Sequence, residues 1–150
     1  MNVPPSPISI LLVEDDPAHA EIVLRNLADL QDRVRCIAHL SDGQQALDYL
    51  RREGQHSDPQ SSPRPDLVLL DLRLPRVDGF EVLRRMKACE AVSHIPVVVL
   101  STSEAEGDIA AAYRTGACSY LVKPTEFDAY IELIRGIGHY WSDLNRFQGA

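Results

Sequence analysis

Four places in this chain of 150 residues set a chemically capable side chain directly behind a short apolar run. Ile8 to Val13 ends in Glu14-Asp15-Asp16, and Leu67 to Leu70 ends in Asp71. Ile95 to Leu100 ends in Ser101-Thr102, and Ser119 to Val122 ends in Lys123-Pro124. If these runs are parallel strands of one open sheet, all of these groups project at its carboxyl edge, where such sheets carry their functional residues. Carboxylates gathered there repel one another, and a divalent cation among them relieves the repulsion. Hard oxygen ligands that leave room for water suit Mg²⁺ better than a soft-ligand metal.

The elements that must position these groups alternate along the chain. A helix from about Pro17 carries Ile22, Val23, Leu27 and Leu30 at three-to-four spacing, and Val34 to Leu40 reads as a further strand. Gln45 to Arg52 predicts a helix bearing Ala46, Leu47 and Leu50. Glu53 to Pro65, polar and carrying Pro59, Pro63 and Pro65, reads as a surface insertion rather than a boundary, because the alternation resumes after it. Asp78 with Glu81 makes a capping box opening a helix to about Ala88; Ser103 with Glu106 makes another, and Gly116 stands where that helix should end. A last helix from Thr125 or Glu126 sets Phe127, Ile131, Ile134, Ile137, Trp141 and Leu144 on one stripe. Five strands alternating with five helices predict a parallel sheet covered on both faces: one α/β domain over residues 1–150, with its core at about 7–138 and a helical extension over 139–150.

With 15 basic and 22 acidic residues the net charge is −7, which disfavours binding to a phosphate backbone. No apolar run approaches the ~20 residues that span a bilayer, and MNVPPSPIS lacks the basic start of a signal peptide. The expectation is a cytoplasmic protein without nucleic-acid or membrane partners. Cys36, Cys89 and Cys118 have no CxxC spacing and are expected to be reduced, buried or half-buried thiols. His19, His39, His56, His94 and His139 show no metal-ligand spacing and read as surface or loop residues. Arg51-Arg52 and Arg84-Arg85 read as solvated helix faces.

LLVEDD, LLDLRLPRVDGFE, VVVLSTS and GACSYLVKP, in this order, resemble the receiver domain of two-component response regulators. The resemblance runs from about Ile8 to about Ile137 and implies a flavodoxin-like (βα)5 fold, a doubly wound parallel sheet with strand order 2-1-3-4-5. It implies that Asp71 accepts a phosphoryl group from a phosphohistidine on a sensor histidine kinase. Asp15 would bind Mg²⁺ directly and Glu14 through a water, with Asp71 and the backbone carbonyl of Arg73 completing the protein ligands. Lys123 would pair with the phosphoryl oxygens, Ser101 (beside Thr102) would hydrogen-bond one of them, and Tyr120 matches the aromatic that repacks on activation. Such a protein is a phosphoacceptor switch, catalysing only its own phosphorylation and dephosphorylation. The physical logic agrees: phosphoryl transfer needs an in-line nucleophile and neutralised charge more than covalent help, and a carboxylate is already ionised.

Asp16 fits a helix N-cap before Pro17 better than a third metal ligand, leaving Glu14 and Asp15, directly after Val13, for the metal. The polar insertion, the Leu-Ser-Thr run and Tyr140-Trp141 resemble single-domain regulators of phytochrome histidine kinases, with output by protein contact. Those regulators form homodimers through the fourth-helix, fifth-strand, fifth-helix face, and here Ile131, Ile134, Tyr140 and Trp141 are the candidates for it. An aspartyl phosphohydrolase of the haloacid-dehalogenase type would want a second aspartate where Arg73 stands. A flavodoxin would want a phosphate-cradling loop where EDDP places negative charge. Thr102, bulkier than the small residue common there, and the long Arg73 are expected to alter the lifetime of the aspartyl phosphate.

Overall fold

The computed structural model describes residues 6–148, so the first five and last two positions of the expected 1–150 domain lie outside the described residues. Strands and helices alternate: β1 (Ile8–Val13), α1 (Pro17–Ala28), β2 (Val34–Leu40), α2 (Gly43–Arg51), β3 (Leu67–Leu70), α3 (Gly79–Ala88), β4 (Val97–Ser101), α4 (Glu106–Thr115), β5 (Ser119–Val122) and α5 (Phe127–His139). All strand pairs are parallel and the sheet order is β2-β1-β3-β4-β5, the flavodoxin-like order. A 3₁₀ turn at Gly54–His56 lies in the segment before β3, and a π turn at Tyr140–Leu144 prolongs α5.

Alternation along the strands divides the core in two. Leu11, Val13, Val68, Leu70, Val97 and Val99 face α2, α3 and α4, packing on Ala46, Leu47, Leu50, Val82, Leu83 and Met86. Ile10, Leu12, Leu67, Leu69, Val98 and Leu100 face α1 and α5, packing on Val23, Leu27, Tyr130, Ile134 and Ile137. Because both faces are covered, the inner strands are apolar at nearly every position, Ser9 and Ser101 excepted, which is why they read as apolar runs.

The local signals act where expected in most places. Asp16 caps α1, its Oδ1 accepting from the backbone N–H groups of Ala18 (2.9 Å) and His19 (3.3 Å). Gly116 ends α4 at φ 121°, a conformation that L side chains avoid. Asp78 caps α3 through Glu81 N–H at 3.0 Å, but Glu81 turns its carboxylate to Arg84 and Arg85, so the return half of that capping box is missing.

Four expectations are corrected. Helix α2 begins at Gly43, two residues earlier than Gln45, because Asp42 caps it through Gln45 N–H at 2.8 Å. Strand β4 starts at Val97 rather than Ile95: the Ile95 N–H turns back to Val92 O, and Pro96 has no N–H to give a ladder. Ser103 does not cap α4, which starts at Glu106 after Ala105; the Ser103 hydroxyl instead donates to Asp108 Oδ2 at 2.6 Å. The α5 stripe is rotated, since Tyr130, Ile134 and Ile137 face inward while Phe127 (60% exposed) and Leu144 (62%) face solvent.

Beyond β3 the chain is tied down at once. Leu72 and Leu74 are buried on either side of exposed Arg73, and Gly79 N–H donates to Leu72 O at 2.8 Å. A Cβ at Gly79 would stand 2.3 Å from the backbone oxygen of Asp71 and 2.6 Å from Leu72 Cα. Backbone on backbone cannot yield as a side-chain tip can. Gly79→Ala is therefore expected to lower stability by about 1–3 kcal/mol, read as a fall in the urea midpoint at constant slope.

Candidate functional site

Strand register builds the site. Val13 pairs with Leu70, so Glu14 and Asp71 leave neighbouring strands side by side. Ser101 pairs with Val122, and Lys123 N–H donates to Ser101 O at 2.7 Å, which brings Lys123 to the same rim from the edge of the sheet. Asp71 N–H donates to Val13 O at 3.1 Å, extending the ladder by one rung past β3.

Lys123 is the electrostatic centre. Its side chain is 2% exposed, and its Nζ donates to Asp71 Oδ2 at 3.0 Å and to Glu14 Oε1. Glu14 is buried, and desolvation pushes its carboxyl from 4.5 up to about 7; the neighbouring Asp71 adds to the rise, against the pull of Lys123. A single ammonium thus faces two carboxylates in a low-dielectric pocket, an arrangement that gains from a second cation or a proton.

Glu14, Asp15 and Asp71 each offer a carboxylate oxygen, and these oxygens lie within 4.8 Å of one another. Glu14 and Asp71 are buried while Asp15 is exposed, so the cluster combines hard oxygen donors with an open side for water. That donor set fits Mg²⁺. Asp16, next in the chain, is occupied as the α1 cap.

The remaining residues singled out in the sequence surround this cluster. Ser101 is fully buried and its Oγ accepts from Ser103 N–H at 3.2 Å, whereas Thr102 is exposed. Ser103 is a junction: its carbonyl accepts from the Tyr120 hydroxyl at 2.9 Å, and its hydroxyl reaches Asp108. Arg73 N–H donates to Asp71 Oδ1 at 3.2 Å, and the Arg73 guanidinium spans to Asp108 Oδ2 at 3.2 Å, directed away from the carboxylates. At the far side of β5, Tyr140 is 49% exposed, and Ile131 and Trp141 are half-buried. Ile134 is fully buried on the sheet, so the candidate interface loses that residue: its side chain is committed to the core.

Two residues at the site carried no readable signal. His19, expected at the surface, is half-buried in the first turn of α1, with Nδ1 3.1 Å from Lys123 Nζ. Tyr130 of α5 is 3% exposed and lies against the His19 ring, and burial together with the acidic groups of the site drives its hydroxyl well above its ordinary pKa. His39, also expected at the surface, is exposed, although its Nε2 donates to the Glu14 carbonyl at 2.8 Å. Nothing local marks these contacts, which join residues 25 to 104 positions apart.

A five-stranded parallel sheet with an acidic, lysine-bearing carboxyl rim defines a receiver domain. Residues 10–135 match the response regulator receiver domain family, and the chain belongs to it, as a response regulator of two-component signalling. It is 46% identical over 144 residues to the probable methanogenesis regulatory protein FilR2 of Methanothrix harundinacea, covering 95% of this chain and 89% of that protein. It is 38% identical over 139 residues to response regulator Rcp1 of Synechocystis, covering 90% and 89%. The Mn²⁺-bound Rcp1 crystal structure superposes with a TM-score of 0.82 at 36% identity, over 95% of this chain and all of that one. The phosphorylated cyanobacterial phytochrome response regulator RcpA superposes with a TM-score of 0.89 at 35% identity, over 95% and 99%. Among the described residues no helix is long and apolar enough to cross a membrane.

The Glu14 shift has a signed consequence. Between pH 4.5 and about 7 the folded protein keeps a proton that the unfolded chain has released. The Glu14 contribution to stability therefore falls as pH rises through that window. Urea denaturation of metal-free protein across the window should show the fall and Glu14→Gln should flatten it; equal slopes in the two proteins contradict this.

Proposed function

We propose that this protein accepts a phosphoryl group on Asp71 from a sensor histidine kinase and turns that event into a change of protein contacts. The observation that carries the reading is Lys123 Nζ at 3.0 Å from Asp71 Oδ2, within a cluster of three carboxylates open to solvent on the Asp15 side. A carboxylate oxygen of Asp71 attacks phosphorus, the bond from phosphorus to the donor nitrogen breaks, and the donor imidazole leaves with its electron pair. Lys123 then pairs with phosphoryl oxygens in place of the Asp71 carboxylate, and the Ser101 hydroxyl lies next to the same rim to donate to one. Asp15, Asp71 and the Arg73 carbonyl would hold Mg²⁺, with Glu14 reaching it through a water, and the ion would supply positive charge against the phosphoryl oxygens.

The switch follows from the junction at Ser103. Drawing Ser101 towards a phosphoryl oxygen pulls on the Ser103 N–H it accepts from, and Ser103 in turn holds the Tyr120 hydroxyl and Asp108 of α4. Likeness to Rcp1 and RcpA along nearly their whole lengths supports a phytochrome-type histidine kinase as the donor. It also supports a single-domain mode of action, with the receiver core near residues 7–138, a polar surface insertion over 53–65 and a C-terminal extension over 139–150. Self-association uses the face of α4, β5 and α5. There a groove of about 620 Å³ is lined by Leu121, Leu133, Gly136, Tyr140 and Trp141, with Ile131 half-buried on the same helix.

Incubation with Mg²⁺ and acetyl phosphate, or with a phosphorylated phytochrome-type kinase, should give an intact-mass adduct of one phosphoryl group that Asp71→Asn abolishes. An adduct that survives the substitution sinks the assignment. Followed after donor removal, that adduct should decay at altered rates in Arg73→Ala and Thr102→Ala; unchanged decay removes both from control of its lifetime. For the self-association face, Trp141→Glu should reduce the mass measured by light scattering to that of one chain of 16.7 kDa. A wild type already at that mass, with and without phosphate, rules the dimer out.

A further inference from the structure

Lys123 has a third partner that neither cation nor phosphoryl binding uses. An ammonium carries three N–H donors and no acceptor, and here its partners are Glu14 Oε1, Asp71 Oδ2 and His19 Nδ1. His19 must therefore accept through Nδ1, which places its ring proton on Nε2. Three donors meet three acceptors, so the buried charge is fully satisfied. His19 is in turn fixed from two sides. Its backbone N–H is tied into the Asp16 cap at 3.3 Å, and its ring rests on Tyr130 with centroids 5.8 Å apart and planes at 32°.

We propose that His19 is a positioning residue for Lys123, the pivot about which the ammonium turns from the Asp71 carboxylate to a phosphoryl oxygen. The inference rests on the phosphoacceptor reading of Asp71. Of the three acceptors, Glu14 and Asp71 belong to the carboxylate cluster that cation and phosphoryl group would engage. His19 stands outside that cluster and keeps its hold throughout. Without it, an ammonium released by both carboxylates has no partner fixing its depth, and a desolvated cation in that position moves towards water. The pivot also joins the start of α1 to the residue that follows β5, although β1, which leads into α1, is separated from β5 in the sheet by β3 and β4.

The plainer role for His19 is to fill space between α1 and α5 against Tyr130, and two substitutions separate the roles. His19→Phe keeps a ring on Tyr130 and removes the acceptor, whereas His19→Asn gives up the ring and returns an acceptor oxygen near the place of Nδ1. Nitrogen NMR of the labelled imidazole in metal-free protein should show an unprotonated Nδ1 whose resonance moves in Lys123→Met while Nε2 holds. With acetyl phosphate and Mg²⁺, His19→Phe should slow adduct formation on the order of tenfold, the effect of losing one hydrogen bond to a charged group. Its Mg²⁺ affinity should be unchanged, and His19→Asn should recover most of the rate. A wild-type rate in His19→Phe, an asparagine variant as slow as the phenylalanine one, or a protonated Nδ1 each overturns the proposal. If the wild type takes up no phosphate, the phosphoacceptor reading fails and the phosphoryl role of His19 with it; the nitrogen spectrum still decides whether His19 anchors Lys123.

Discussion

One buried ammonium between two buried carboxylates is the constraint on which the rest of this structure depends. Lys123, Glu14 and Asp71 sit where water is largely excluded, and removing the lysine from such a group typically costs about 3–5 kcal/mol because the two carboxylates are left uncompensated. Their separation is set by backbone pairing, not by side-chain choice: β1 beside β3 fixes the two carboxylates, and β4 beside β5 brings in the lysine. Two apolar layers hold those strands in register. The core is in this sense the support of an electrostatic arrangement that would not otherwise persist.

Around that centre the loops are ordered by burial and by hydrogen bonds, each in its own way. After β3, Leu72 and Leu74 pin the chain from below and leave Arg73 free to reach α4. After β4, Ser103 gathers contacts from Ser101, Asp108 and Tyr120. Exposed pairs such as Arg73–Asp108 contribute little stability in water, so their value lies in geometry: they connect the rim to the face of α4 and β5 by bonds that a displacement of an ångström or so would break.

Much of this was legible in the residues. Inner strands read as apolar runs because helices cover both faces, and each run announced its end with the functional group that follows it. Asp16 and Gly116 declared helix ends through local chemistry alone. What stayed hidden was non-local. A helical stripe gives periodicity but not phase, and the phase of α5 is fixed by Tyr130 turning inward, which leaves Phe127 outside and takes Ile134 away from any interface. Ser103 looked like a cap because the pattern cannot show that α4 starts only at Glu106, so that the Ser103 hydroxyl accepts from Ala105 N–H ahead of the helix. His19 was unreadable as a site residue, since its partner stands 104 positions away.

The placement of Lys123 directly after the edge strand also bears on how the site comes together. Glu14 and Asp71 are synthesised early and meet once β1 and β3 pair, whereas Lys123 lies 109 residues beyond Glu14. Pairings between residues distant in sequence cost the most loop-closure entropy before they are rewarded. Until the final strand docks, the two carboxylates face each other with no lysine between them, and only a proton or a borrowed cation can quiet them. The residue after the edge strand thus carries the charge that completes the rim, and a sheet lacking β5 leaves the two carboxylates uncompensated.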